Sequence, residues 1–170
     1  MSEDALPNNP NITTSELEAL HDDAWRWAYS LVSDRSVADD VMQRTYEEVI
    51  SGSARFDAQA SLKTWLYSVI RHVAYGHFRA ERRRFNLLSK LRRQGVDENV
   101  EAQIEVGDDV GQALRQLPTR QREVLELVVY REFTLEQCAK IIGIRLGSVR
   151  THYHRAKTTL RNLLEDRDDR

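Results

Sequence analysis

Apolar residues recur every three or four positions along much of the chain, the spacing that places them on one face of an α-helix. This pattern predicts three helices in the first half of the sequence, over about residues 15–32, 36–50 and 62–84. Ser36 followed by Asp39 resembles a capping box at the start of the second helix. The alternation of apolar and polar residues that marks a half-buried strand is not found. The sequence therefore predicts an all-α protein.

The second half begins with a change in composition. Residues 94–111 are acidic, contain three glycines and have few large apolar side chains, so they are predicted to form a flexible linker. Helical spacing resumes at Pro118, and Thr134 with Gln137 gives another capping-box match. Two short helices with Gly143 at the turn between them follow, which is the pattern of a helix-turn-helix.

These features divide the chain into two small helical domains. The boundaries lie where the helical periodicity stops or the composition changes. The predicted segments are a disordered N-terminus over residues 1–14, a first domain over 15–93, the acidic linker over 94–111, a helix-turn-helix domain over 112–165 and a tail over 166–170.

The charge of the protein is distributed unevenly along its 170 residues. The total is −2, yet residues 63–93 hold nine basic residues and one acidic residue, and residues 137–164 hold six basic residues and no acidic one. Residues 94–113, which lie between the two basic blocks, hold six acidic residues and no basic one. Because electrostatic attraction is screened over about 10 Å, each basic block can contact nucleic acid despite the near-neutral total. The same total argues against strong DNA binding by the free protein.

Hydropathy and cysteine content bear on the location of the protein. No apolar run is long enough to span a bilayer, and the polar, acidic N-terminus lacks the features of a secretory signal. We therefore expect a cytoplasmic protein that does not insert into membranes. The single cysteine, Cys138, excludes an internal disulfide and is expected to lie in the core.

The last predicted helix separates into an apolar side and a cationic side. At 100° per residue the apolar side consists of Val149, Tyr153, Ala156, Leu160, Leu163 and Leu164, and the opposite side of Arg150, Thr151, His154, Arg155 and Thr158. Such a helix can pack on its own domain while it presents positive charge to a DNA groove. The alternative is an ordinary solvated helix face.

The third helix carries a stripe in which cations alternate with aromatic rings. Arg71, Tyr75, Phe78 and Arg82 are spaced so that they fall on one outward side. Unpaired bases can stack on such rings while guanidinium groups hold the backbone, so the stripe suits single-stranded nucleic acid. Packing of the rings against another helix, with solvated arginines, is the alternative.

The segments ADDVMQRTYEEV, SLKTWLYSVIRHVAYGHFRAERRR, LPTRQREVLEL and GSVRTHYHRAK occur in the order expected of bacterial extracytoplasmic-function (ECF) RNA polymerase sigma factors. The chain resembles that family from about Leu17 to Leu164. The resemblance implies a cytoplasmic subunit that binds core RNA polymerase and directs it to promoter DNA. Its first domain would read and melt the −10 element, and its second would read the −35 element as duplex. It also implies a role in a stress response and control by an anti-sigma factor.

The resemblance further implies roles for individual residues. On the second helix, Asp40 and Gln43 would dock on the clamp helices of the polymerase, although a surface pair of this kind is by itself usually solvated. The loop from Phe56 to Ala60 is similar to the family's pocket for an extruded base. The residues expected at the −10 element are Phe56, Asp57, Arg71, His72, Tyr75, Arg79, Arg82 and Arg83. Those expected at the −35 element are Ser148, Arg150, Thr151, His154 and Arg155.

Two other classes of protein compete with this interpretation. A two-domain transcription regulator with a sensing first domain would explain the C-terminal basic block, but not the stripe of the third helix. An enzyme is less well supported, because His72 and His77 lie on different helix faces, as do His152 and His154, and no glycine loop could cradle phosphate. No catalytic residue, metal, cofactor or small-molecule substrate is therefore expected.

Overall fold

A computed structural model describes residues 4–91, 113–114 and 116–168. The chain divides between residues 102 and 103 into two compact units, which we describe separately. The predicted acidic linker, residues 94–111, lies outside the described residues. None of the helices in the described ranges has an apolar stretch long enough to cross a membrane.

The first unit is built on three helices, α1 (Thr14–Val32), α2 (Arg35–Ser51) and α3 (Leu62–Leu91). Each of them contacts the other two. The core between them contains the fully buried side chains Trp27, Leu66, Tyr67, Ile70 and Val49. The three helices predicted from periodicity are confirmed, and α3 continues beyond its predicted end at Arg84.

A short antiparallel hairpin precedes α1. Its strands are β1 (Ala5–Leu6) and β2 (Asn9–Thr13), with an irregularity in register between Ala5 and Leu6. The prediction of a disordered segment over residues 1–14 is therefore wrong for the hairpin, whereas the predicted all-α fold class is confirmed, since the hairpin is a short addition to a helical protein. The hairpin is ordered because Leu6 and Ile12 are buried in the first unit. A strand of two residues is too short to give a recognisable alternation.

The cap at the start of α2 also differs from the prediction. The N-cap residue is Asp34, whose carboxylate accepts a hydrogen bond from the backbone N–H of Val37 (2.9 Å). The helix therefore begins at Arg35, and the capping box predicted for Ser36 and Asp39 is wrong. Asp is as good an N-cap as Ser, and here it precedes the first helical residue.

The second unit contains a helix-turn-helix, as predicted. Its helices are α4 (Thr119–Leu125), which runs into a π-helical turn over Glu126–Tyr130, α5 (Leu135–Ile142) and α6 (Leu146–Asp168). The capping box of Thr134 and Gln137 is confirmed, and Gly143 ends α5 in the left-handed conformation with φ 74°. Helix α6 extends into the predicted tail as far as Asp168. Buried Leu117, Leu125 and Ala156 form a core with Leu114, Tyr153 and Leu160.

Candidate nucleic-acid interfaces

The loop between α2 and α3 holds the first two predicted DNA-contacting residues. The half-buried ring of Phe56 lies against Trp65 of α3, with ring centroids 5.3 Å apart. Asp57 is exposed, and its carboxylate accepts a hydrogen bond from the backbone N–H of Gln59 (3.2 Å). Ala58 has a φ of 58°, in the left-handed region that disfavours a side chain. Such a conformation persists only where its surroundings enforce it, so the loop has a defined shape.

The predicted stripe on α3 begins with a stacked pair. The Arg71 guanidinium lies 4.3 Å from the centroid of the Tyr75 ring, and Tyr75 meets Phe78 edge to face at 6.2 Å. All three side chains are half-buried, whereas Arg82 is exposed. The sequence left open whether these rings bind unpaired bases or pack within the protein. In the structure the aromatic residues pack on one another and still keep part of their surface open to a ligand.

A groove of about 550 Å³ runs between α2 and α3. Asp40 and Gln43 lie on its α2 side, and His72, Arg79 and Arg83 lie on its α3 side. All five of these residues are exposed, and the Gln43 side chain donates to the carboxylate of Glu47 (3.1 Å). The structure thus brings the predicted polymerase-docking pair and three predicted −10 residues to opposite walls of one groove.

Helix α6 presents the predicted −35 residues together. Ser148, Arg150, Thr151, His154 and Arg155 are all exposed. Val149 and Ala156, on the opposite side of the helix, are completely buried. The separation of apolar and cationic sides predicted from the helical wheel is therefore confirmed.

One acidic side chain approaches this cationic side. The Arg150 guanidinium lies 4.0 Å from the carboxylate of Glu136, and both side chains are more than 60% exposed. A pair as open as this contributes little to stability, so it leaves Arg150 available to a phosphate or a base. Thr151 donates its hydroxyl to the Gly147 carbonyl (3.0 Å), which holds that side chain against its own helix.

Cys138 lies at the buried side of α5. It is completely buried, as predicted, and burial raises the pKa of its thiol to about 12. A thiol with so high a pKa is protonated near neutral pH and is a weak nucleophile. Among the residues that the structure describes, no group of three or more His, Cys, Asp or Glu side chains could hold a metal ion.

Sequence reasoning missed two residues that shape the loop of Phe56. Trp65 packs against the Phe56 ring, and Asn9 from the hairpin accepts a hydrogen bond from the Phe56 backbone N–H (3.0 Å). The Trp65 contact joins neighbouring segments and could have been found from the aromatic pair flanking the loop. The Asn9 contact spans 47 residues and leaves no periodic signal.

Two models of sigma-factor domains match the chain. The model described as Sigma-70 region 2 matches residues 17–84, and that described as Sigma-70, region 4 matches residues 107–160. The first range covers α1, α2 and most of α3, and the second includes the helix-turn-helix. The two units thus define a DNA-binding transcription factor of the sigma-70 class.

Curated relatives identify the family within that class. The chain is 30% identical over 166 residues to the ECF RNA polymerase sigma factor SigC of Mycobacterium tuberculosis. The aligned region covers 92% of this chain and 85% of the relative. It is 27% identical over 157 residues to the ECF sigma factor SigX of Bacillus subtilis, covering 87% and 81% of the two chains. The protein belongs to the ECF RNA polymerase sigma factors, which direct RNA polymerase to promoters.

Solved structures agree with this fold. The sigma factor RpoE from Bartonella quintana, in complex with the anti-sigma factor NepR, matches with a TM-score of 0.69 and 24% identity over 89% of this chain and 95% of that one. CnrH, in complex with the cytosolic domain of CnrY, matches with a TM-score of 0.62 and 21% identity over 89% and 86%. At these identities the likeness supports the fold alone.

We predict that Cys138 is unreactive while the second unit is folded. With a thiol pKa of about 12 against about 8.5 in an unfolded chain, the thiolate fraction at pH 8 falls by roughly three orders of magnitude. Labelling with a chromogenic disulfide at pH 8 should therefore be slow in buffer and fast in denaturant. Equal rates in the two conditions would show that the thiol is accessible and that its burial has been misjudged.

Proposed function

We propose that the first unit of this sigma factor docks on core polymerase and holds the melted −10 element, while α6 of the second unit reads the −35 duplex. The observation that carries the proposal is the presence, in separate units of one chain, of an aromatic and cationic platform on α3 and a cationic recognition helix. A protein that bound only duplex DNA would have no use for the platform. We extend the proposal to a cytoplasmic protein that catalyses no reaction of its own.

The Arg71, Tyr75 and Phe78 platform suits a strand whose bases have left the double helix. A base can stack on an open part of an aromatic ring, and the guanidinium 4.3 Å from the Tyr75 ring brings positive charge to the same place. Four further side chains of α3 are exposed on other sides and later turns of the helix, where they can contact the phosphates of the strand: His72, Arg79, Arg82 and Arg83. Phe56 and Asp57, in the preceding loop, provide the pocket for an extruded base.

Helix α6 suits the major groove of an intact duplex. Two kinds of contact are available to its exposed residues. Arg150 and Arg155 can donate bidentate hydrogen bonds to guanine or to phosphate. Ser148, Thr151 and His154 add shorter polar groups on the same side. The buried Val149 and Ala156 keep that side turned outward, so DNA binding does not require the helix to rotate.

Asp40 and Gln43 provide the polymerase contact. Both are exposed on the α2 side of the groove. Glu47 and Glu48 line the same side together with Arg44, so with Asp40 the carboxylates outnumber the cation and the surface is acidic. An acidic surface favours a basic partner and repels DNA, so the α2 side of the groove suits a protein.

We propose an anti-sigma factor as the regulator of this protein. The solved RpoE protein is in complex with the anti-sigma factor NepR, and its fold matches this chain along 89% of its length. The first unit exposes the apolar side chain of Ile50, and the second unit separately exposes those of Val129 and Tyr130, each of which such a partner could cover.

Replacing Asp40 with Asn should weaken binding to core polymerase by about 30-fold or more, because docking would bury Asp40 in a hydrogen-bonded charge pair, and removing one member of such a pair costs about 2 kcal/mol or more. Capture of purified core enzyme measures this loss. Asp22→Asn, which alters an exposed carboxylate on α1, is the matched control and should bind normally. Undiminished capture by the Asp40 variant would reject the docking role.

Replacing Arg150 and Arg155 together with Ala should weaken holoenzyme binding to a duplex −35 probe while sparing polymerase association. Each lost contact to a base costs about 1–3 kcal/mol. Each lost contact to a phosphate lowers the slope of log affinity against log salt concentration by about one. Fluorescence anisotropy at several salt concentrations measures both effects. Arg161→Ala, about 9 Å beyond Arg155 along the same helix, should bind the probe normally. Loss of core binding by the double variant would mean that α6 has been misassigned.

Replacing Phe56 with Ala should impair promoter opening. Loss of one stacked base costs about 1–3 kcal/mol, a reduction of roughly 5- to 150-fold in binding of a single-stranded −10 oligonucleotide. Fluorescence of 2-aminopurine placed in the −10 element of a holoenzyme complex follows the extruded base. Phe56→Tyr keeps the ring and should retain most of the signal. A signal from Phe56→Ala equal to that of the unaltered protein would remove this loop from the −10 site.

A further inference from the structure

The hairpin that precedes α1 makes polar contacts with the end of α2 and with the loop that carries Phe56. Its residue Asn9 is only 3% exposed, although its side chain is an amide. The amide N–H groups donate to the backbone carbonyls of Val49 (2.6 Å) and Ala54 (2.9 Å). The amide oxygen accepts from the backbone N–H of Phe56 (3.0 Å). One buried side chain thus joins the last turn of α2 to two points of the loop.

A second contact holds the hairpin in register with the same helix end. Asn8 donates its side-chain N–H to the Ile50 carbonyl (2.9 Å). A Cβ built on Gly52 would lie 2.8 Å from the Cβ of Asn8, and Gly52 has a φ of 76°. Both facts require glycine at this position, because a side chain would push the hairpin away. The hairpin is therefore seated on the end of α2 by close packing as well as by hydrogen bonds.

These bonds act on the part of the loop that the −10 strand would meet. The ring of Phe56 is placed by Trp65, at a centroid distance of 5.3 Å, and its backbone is placed by Asn9. Two residues further on, Ala58 is in the left-handed region with a φ of 58°, which a free loop would leave. A pocket that is already formed binds its ligand without the cost of ordering the chain.

We infer that Asn9 is a positioning residue for base recognition at the −10 element, and that the N-terminal hairpin is a working part of the promoter-reading surface. Asn9 does not touch DNA in this proposal; it fixes the backbone of Phe56 so that the pocket for the extruded base is preformed. The inference rests on the proposed role of the Phe56 loop, and it adds a specificity determinant that lies 47 residues away in the sequence.

The experiment uses the full chain in reconstituted holoenzyme and a pair of promoters. The parent promoter is one selected by the unaltered holoenzyme from a library with a randomised −10 element, and its partner differs at the single base that most affects selection. The measured quantity is the ratio of open complexes formed on the two promoters. Partial unfolding of a variant lowers both signals equally and leaves this ratio unchanged, so the ratio reports positioning rather than stability.

Asn9→Ala should lower the ratio about tenfold, because the cost of ordering one backbone residue on binding, about 1–2 kcal/mol, falls on the parent promoter, whose base enters the pocket, and not on its partner. Asn9→Asp keeps the acceptor for the Phe56 N–H and should retain part of the preference. Asn11→Ala, at an exposed position of the same strand, should match the unaltered protein. Amide hydrogen exchange of Phe56 should also become faster in Asn9→Ala, while exchange of the buried Tyr67 amide should not.

The Phe56→Ala variant, measured on the same promoters, separates the inference from the function on which it rests. If Phe56→Ala lowers the ratio and Asn9→Ala does not, the positioning role is overturned and the −10 role of the loop stands. If neither variant lowers the ratio, the −10 role fails and the inference fails with it. When both lower it, the double variant should lose no more than the larger single loss, because two residues acting through one pocket are not additive.

Discussion

A reciprocal pair of hydrogen bonds fixes how α3 is rotated against α1. The Trp27 indole N–H donates to the Tyr67 carbonyl, and the Tyr67 hydroxyl donates to the Asp23 carbonyl, each at 3.1 Å. The two rings are fully buried and stacked, with centroids 5.8 Å apart. Leaving a buried polar group without a partner costs about 1–3 kcal/mol, and a rotation of α3 would break both bonds at once. The helix is therefore held at one angle about its axis.

That angle decides which side chains of α3 reach solvent. Ile70, Val73 and Ala74 enter the core, and Arg71 and Tyr75 consequently lie at its edge, where the guanidinium covers part of the ring. Helix α6 is oriented in the same way, because burial of Val149 and Ala156 turns its opposite, cationic side toward solvent. In each unit, the residues proposed to contact DNA are placed by apolar residues on the same helix. The surfaces are preformed, so little of the binding energy is spent on ordering them.

The features that could be predicted from the sequence are those that depend only on residues close together along the chain. The capping box joins Thr134 and Gln137, which are three positions apart, and the two sides of α6 follow from a single helical period. The features that were missed depend on distant partners. Asn9 is buried because its amide bonds to carbonyls 40 and 45 residues away, and no local pattern records this. The cap of α2 was predicted at Ser36, and the backbone geometry instead makes Asp34 the N-cap.

The distribution of charge explains why such a protein would act only together with polymerase. Six basic residues over 137–164 could release at most about five counterions at roughly 0.9 per phosphate, which gives modest, salt-sensitive binding to duplex DNA. The first unit has its own basic block, but its target exists only after the duplex opens. Once core polymerase holds the first unit near the promoter, the second contact becomes intramolecular and its effective concentration rises to the millimolar range. Weak separate surfaces then suffice for specific binding, and the near-neutral total of −2 is expected to disfavour DNA binding by the free protein.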